Sequence, residues 1–298
     1  MKPVVVVGGG IVGACVAFHL ARAGAAVTVV FRDAGVTPLS FGWIGASPPW
    51  PGGAGDLSEF VLPDWRDLAA AVPGVDVDWP GAVRSGRSDP SDGAVDPARV
   101  TRALLLAARR LGARTVSGAS VTAVRDGLVS STAGEFAASA VVVAAGTGTP
   151  ALCPQVAVPA SPAFRMRLRA PRGLVRAIVA TDHFDVREAS PGLLLATAPL
   201  GADRSPAGLR ALAGRTTDRL RTTFGNDLRL LDWAVGDRPM PPCGPVIGQV
   251  TPGVHVAVMH SAICLAPVAG RLLAGEIRTG RPAPRLAACR PAQSRSRP

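Results

Sequence analysis

Residues Pro3 to Val7 are an unbroken apolar run dominated by β-branched valine, the pattern of a strand buried on both faces. The chain then turns through Gly8-x-Gly10-x-x-Gly13 into a helical pattern from Ile11 to Ala23, which Gly24 ends in the position that favours a left-handed cap. A second valine-rich strand follows from Ala26 to Val30. This is a βαβ start, and the glycine spacing between strand and helix narrows what it can hold. Gly8 permits the tight turn, Gly10 lets a pyrophosphate approach bare backbone, and Gly13 lets the helix pack close to the strand. The helix N-terminus adds unpaired N–H groups and partial positive charge, so the segment is expected to bind a dinucleotide. An acid is expected at the end of the second strand to bind ribose hydroxyls, but position 31 is Phe, followed by Arg32 and Asp33. Asp33 serves if the strand end is shifted. Arg32 would instead meet a 2′-phosphate and favour NADP, or both are solvated loop charges.

Further along, Leu57 to Ala71 reads as a helix with a possible break at Pro63, and Val75 to Val83 as a strand. Asp96-Pro97 opens a strong helix that Gly112 closes, with Asp as cap and Pro in the first turn. Strands are expected at 114–116, 120–125, 128–132 and 141–144. After Pro150 the pattern changes to alternating segments such as Phe164 to Leu168 and Leu193 to Thr197, the mark of an antiparallel sheet. Leu209 to Phe224 has helical spacing, Val254 to Val258 returns to a buried strand, and a helix is expected from about Ile263 to Thr279.

The net charge of +11 is almost wholly arginine, since Lys2 is the only lysine. Six arginines fall from Arg278 onward with no acid after Glu276, which reads as a frayed basic end. No zinc-finger, RNP or homeodomain pattern accompanies the charge, so nucleic acid is not expected as a partner. Five cysteines without a Cys-x-x-Cys fit neither a disulfide framework nor a zinc site, and point to a reducing, cytoplasmic compartment with no metal. The glycines interrupt the first apolar run before it could act as a leader, and no other stretch is long and apolar enough to enter a membrane. No Ser-His-Asp arrangement supports a hydrolase.

Four segments together resemble the D-amino-acid-oxidase (DAO) family of FAD-dependent oxidoreductases, which includes glycine oxidase and sarcosine oxidase relatives. They are VVVVGGGIVGACVAFHLARAGAAVTVV, the loop SFGWIGAS from Ser40 to Ser47, GAVDPARVTRALLLAARRLGA leading to ASAVVVAAGTGTPAL, and DRPMPPCGPVIG followed by GVHVAVMHSAICLAPVAGRLLAGEI. The resemblance implies an α/β fold: a discontinuous Rossmann-like FAD-binding domain plus a smaller antiparallel-sheet substrate domain. The expected boundaries are 1–150 and 239–285 for the FAD-binding parts, 151–238 for the substrate domain, and 286–298 for a flexible tail.

The resemblance also assigns residues. Gly8, Gly10, Ile11 and Gly13 would hold the pyrophosphate, and Asp33 would sit near the adenosine ribose. Ser40, Gly42 and Trp43 would lie along the ribityl chain and flavin, Val121 near the adenine, and Ala145 and Gly146 close to the cofactor. The segment His260-Ser261-Ala262 would open a helix toward the flavin, although the family usually has Gly at the place of Ala262. Arg238 would clamp a substrate carboxylate, with Arg238 and His260 as the catalytic pair. Cys243 replaces an Asp common in the family, and the stretch between Val83 and Val95 is short. The implied activity is oxidation of the CH–NH bond of an amino acid or secondary amine, with oxygen or another acceptor taking the electrons. The alternatives are a degenerate FAD-binding protein without turnover and an NADP-dependent dehydrogenase.

Overall fold

The computed structural model describes residues 2–45 and 52–292; Trp50 and the end of the loop that runs to Ser47 lie outside them. Its six helices are α1 (Ile11–Arg22), α2 (Ser58–Ala71), α3 (Pro97–Arg110), α4 (Thr149–Leu152), α5 (Pro206–Phe224) and α6 (Ala262–Thr279). Among the described residues, no helix is long and apolar enough to cross a membrane.

A six-stranded sheet runs Val246–Thr251, Val254–Val258, Ala140–Val143, Val4–Val7, Val27–Phe31, Arg114–Ser117. All neighbours are parallel except the first pair. The valine runs have no polar side because both faces are covered. Val4, Val6, Val27 and Val29 face the layer of α1, α3 and α6, while Val5, Val7, Val141 and Val143 join a second core with Val129 and Ala138. Val4–Val7 lies between Val27–Phe31 and Ala140–Val143, so the chain leaves it in one direction and returns on the other side. The carboxyl ends at that reversal are where an open α/β sheet forms its ligand crevice.

The second sheet has seven strands, in the order Arg229–Pro239, Ala160–Arg169, Leu193–Ala198, Asp185–Ser190, Ile178–Ala180, Ala82–Arg84, Arg87–Asp89. One face carries Phe164, Met166, Leu168, Leu194 and Ala196 against Ala213 and Leu220 of α5. The period-two alternation of these strands sends their polar residues to the other face.

Several sequence expectations change. Only Ala82–Arg84 of the strand expected over 75–83 forms, and it pairs with Ile178–Ala180, so residues 82–89 belong to the second sheet rather than to a 1–150 unit. Helix α2 continues through Pro63. The tail expected from 286 onward is partly docked: Leu286 and Cys289 are buried, and Arg290 pairs with Glu276 of α6. Leu286 supplies apolar area and Glu276 a carboxylate, and composition alone revealed neither contact.

Arg187 ties the second sheet to the segments at Phe41 and Val95. It is 3% exposed, and it donates from Nε to the Phe41 carbonyl at 2.7 Å and from Nη2 to the Val95 carbonyl at 2.8 Å. Its guanidinium also lies over the Phe41 ring, and burial pushes its pKa down to about 10. Replacing Arg187 by Met strands two carbonyls, so the variant is expected to lose about 2–4 kcal/mol in urea unfolding. A loss below about 1 kcal/mol would show that water satisfies those groups equally well.

His19 of α1 gives a second expectation. Its Nε2 has no hydrogen-bond partner, and burial, with Arg22 and Arg271 nearby, lowers its pKa from 6.5 to about 4. Between those values the unfolded chain binds the proton and the native chain does not, so stability falls as pH drops through that window. The expected loss is about 3 kcal/mol, from roughly 1.4 kcal/mol per unit. Urea unfolding at several pH values should show this acid limb flattened in His19→Leu.

Candidate functional site: a dinucleotide cleft opening into a cavity between the sheets

The crevice at the strand reversal is built by close backbone approach. Gly8 has φ +123°, and a Cβ there would collide with the Ala144 carbonyl; a Cβ on Gly13 would collide with the Gly8 carbonyl. Helix α1 therefore starts directly over the strand ends. No acid stands in its first turn and Gly10 supplies no side-chain cap, so its positive end is open. The Ile11 N–H is taken by Thr37 Oγ1 at 3.2 Å, which brings Thr37, missed in the sequence reading, into the phosphate end of the cleft.

This cleft, of about 460 Å³, is lined by Gly8, Gly10, Ile11, Asp33, Val121, Ala145 and Gly146 among others. Phe31 ends its strand with the ring against Gly9, where a Cβ would meet it. Asp33 sits on the rim, accepting from Arg32 Nε at 2.8 Å and from the Gly35 N–H at 2.7 Å. Arg32 and Asp33 thus neutralise each other, which leaves Arg32 without the free charge that a 2′-phosphate would need.

The cleft continues into a cavity of about 520 Å³ between the two sheets, and both are lined by Ile11, Thr37, Pro239, Met259 and Ala262. Ser40, Gly42, Trp43, Arg238, His260 and Ser261 all line this second cavity. Ser40 Oγ accepts from the Gly42 N–H at 3.3 Å, and Gly42 has φ +81°, with no room for a Cβ beside the Val95 carbonyl. The Trp43 indole N–H donates to Asp92 at 2.7 Å, and Arg84, bonded to the same carboxylate oxygen, stacks over the ring at 4.0 Å. Asp92 is fully buried, so ring and guanidinium are held by one desolvated charge. Cys264 Sγ donates to the Trp43 carbonyl at 3.2 Å. Cys243 is exposed and lines neither space.

At the other end, the chain leaves Val254–Val258 and enters α6 through Ser261, whose φ of +56° is a strained left-handed conformation for a non-glycine residue. Ser261 Oγ and His260 Nδ1 share a hydrogen bond at 2.9 Å. Burial, and then the charge of Arg238, push the His260 pKa below its usual value, so the ring is neutral at neutral pH. Arg238 donates to the carbonyl and hydroxyl of Ser161 and to no carboxylate, and burial lowers its pKa. The first turn of α6 has no acid and no side-chain cap, so a second positive helix end meets the cavity.

The sequence reading missed Arg84, Arg165, Asp185 and Thr197 on the opposite wall. A signal was present: polar residues alternate with apolar ones in FRMRLR, and LLLATA places Thr197 among apolar neighbours. Asp185 Oδ2 accepts from the Thr197 hydroxyl at 3.1 Å, and burial raises the Asp185 pKa.

The space fits a dinucleotide cofactor with a ring system at its far end: bare glycine backbone at one helix N-terminus, an uninterrupted trough, and an aromatic wall at the second helix N-terminus. Comparisons with known proteins agree. The structure is similar to glycine oxidase from Geobacillus kaustophilus, with 20% identity over 97% of this chain and 98% of that one, at a TM-score of 0.82. It is similar to L-proline dehydrogenase from P. horikoshii (18% identity, 97% and 96% covered, TM-score 0.80). Iminodiacetate oxidase from Chelativorans sp. BNC1 is a third (18% identity, 97% and 98% covered, TM-score 0.79). A sequence comparison with curated proteins gave no match. The family described as DAO, FAD dependent oxidoreductase, matches residues 3–89 and 62–276, which decides for FAD over the NADP alternative. With that match over nearly the whole chain and a trough built for its cofactor, the chain belongs to the DAO family of FAD-dependent oxidoreductases.

Proposed function

We propose that the chain oxidises the CH–NH bond of a carboxylate-bearing amino acid or secondary amine. The observation that carries this reading is the guanidinium of Arg238, on the cavity wall, bonded only to Ser161 among the described residues, and beside neutral His260 at the N-terminus of α6. A planar guanidinium with free donors matches a carboxylate in a bidentate pair. FAD, when bound, supplies a two-electron acceptor that oxygen or another oxidant regenerates.

The chain's own residues supply the rest. Gly8, Gly10, Ile11, Gly13 and Thr37 form the phosphate end, with Val121, Ala145 and Gly146 along the cleft and Asp33 at its rim. Ser40, Gly42 and Trp43 hold the ring end, and the positive terminus of α6, with Ser261 and Ala262, favours negative charge arriving there. Arg238 orients the substrate carboxylate, and Phe41 narrows the cavity against water. The amine nitrogen must lose its extra proton before hydride leaves the adjacent carbon. Asp185, with its raised pKa and Oδ2 held by Thr197, is the acceptor on the wall. The imine product hydrolyses in water. The five free thiols fit a cytoplasmic location.

Purified protein should show flavin absorption that bleaches without oxygen when amino acids or N-methyl amino acids are added. Bands that never bleach would leave a flavin carrier without turnover. Arg238→Met is expected to lower kcat/KM about 10- to 100-fold, the equivalent of one charge-assisted pair. Activity should fall as pH drops through the Asp185 pKa, which burial raises, and Asp185→Asn should remove that acid limb. An unchanged pH–rate profile in that variant would assign the proton to another group.

A further inference from the structure

The cavity wall opposite α6 is a single cross-strand row. Arg84, Ala180, Asp185, Thr197, Arg165 and Ala234 are successive register partners across six strands. Neighbouring strands lie about 4.8 Å apart, so Arg84, Asp185 and Arg165 are rooted each about 10 Å from the next, as cation, anion and cation. Arg238 follows Ala234 by four residues on the same strand and the same face, about 13 Å further along.

These charges are not equally satisfied. Arg84 is paired with Asp92 at 2.7 Å, and Asp185 is bonded to Thr197. Among the described residues, neither Arg165 nor Arg238 has a carboxylate within ion-pair distance. Arg165 Nε is buried without any partner, and Arg238 reaches only Ser161. Arg165 is half-buried and Arg238 is exposed toward the cavity, and partial desolvation lowers the pKa of each. A desolvated, unpaired guanidinium costs free energy that an arriving anion returns. Neither residue lines the dinucleotide cleft, so the cofactor phosphates do not meet this need. One substrate carboxylate leaves one of the two guanidinium groups unmatched.

We propose that the substrate carries two carboxylates, one held by Arg238 beside the carbon that is oxidised and the second held by Arg165, with the amine nitrogen turned toward Asp185. This rests on the oxidation of an amine at the same site and narrows its substrates to dicarboxylic amines: acidic amino acids or N-carboxyalkyl amino acids.

The test separates the two readings. Calorimetric titration of the FAD-loaded protein with malonate, succinate and glutarate is compared with acetate, propionate and butyrate. At least one dicarboxylate should bind tenfold or more tightly than every monocarboxylate. Arg165→Gln should shrink that preference about 10- to 100-fold, and Arg165→Lys should keep part of it. Equal binding of the two series by the unmodified protein would overturn the proposal, whether or not the variants fold. A preference that survives in folded Arg165→Gln would also overturn it. Turnover supplies the second arm. If dicarboxylates bind preferentially but no amine bleaches the flavin, the second anion subsite stands and the oxidase reading fails. If monocarboxylic amines bleach the flavin as readily as dicarboxylic ones, the oxidase reading stands and the subsite fails.

Discussion

The closeness of α1 to the strand ends controls the rest of the site. Nothing larger than hydrogen fits between Gly13 and the Gly8 carbonyl, or between Gly8 and the Ala144 carbonyl. That contact brings a positive helix end within reach of a ligand in the crevice. It propagates to the second helix end. Gly270 of α6 packs on Cys15 of α1, where a Cβ would stand 2.9 Å from the Cys15 backbone carbon and its Cβ. The N-terminus of α6, with Ser261 and His260, is thereby set relative to the same strands. Both positive poles of the trough depend on glycine contacts with one helix.

The second sheet closes the trough from the opposite side, and two arginines hold it there. Arg187 grips two carbonyls of the first unit, and Arg84 shares buried Asp92 with Trp43. These contacts fix the loop 41–43 from both ends, which positions the indole in the cavity. The arrangement is costly in desolvation; Arg187 offsets that cost by aiming Nε and Nη2 at two carbonyls, and Arg84 by its ion pair with Asp92, although Arg84 Nε has no partner. Arg165 and Arg238 differ in having no carboxylate partner among the described residues.

The departures from the family pattern fall unevenly. Phe31 stands where the family pattern has an acid, with its ring against Gly9, and the next acid, Asp33 on the cleft rim, is engaged by Arg32. Ser261 accepts a left-handed conformation at the entry to α6, and Ala262 brings a methyl group to the junction of cleft and cavity. Cys243 stands apart from both spaces and leaves the pocket untouched.

The dinucleotide-binding half was legible because its signals are local. The glycine spacing, the two-faced valine runs and the Asp96-Pro97 helix start each act within a few residues, and chain order then places them at one crevice. The alternating segments after Pro150 likewise read as strands, but the two strands at 82–89 that join the same sheet were not legible as part of it. Register was beyond the sequence's reach. Arg84 and Arg165 are eighty-one positions apart, and only the pairing of five strands sets them on one face with Asp185 between them. The carbonyl partners of Arg187 and the docking of Leu286 are equally non-local. Local spacing determined that the chain could hold a dinucleotide. Long-range strand pairing decided which charged groups face the space beside it, because a one-residue slip would turn each of them away.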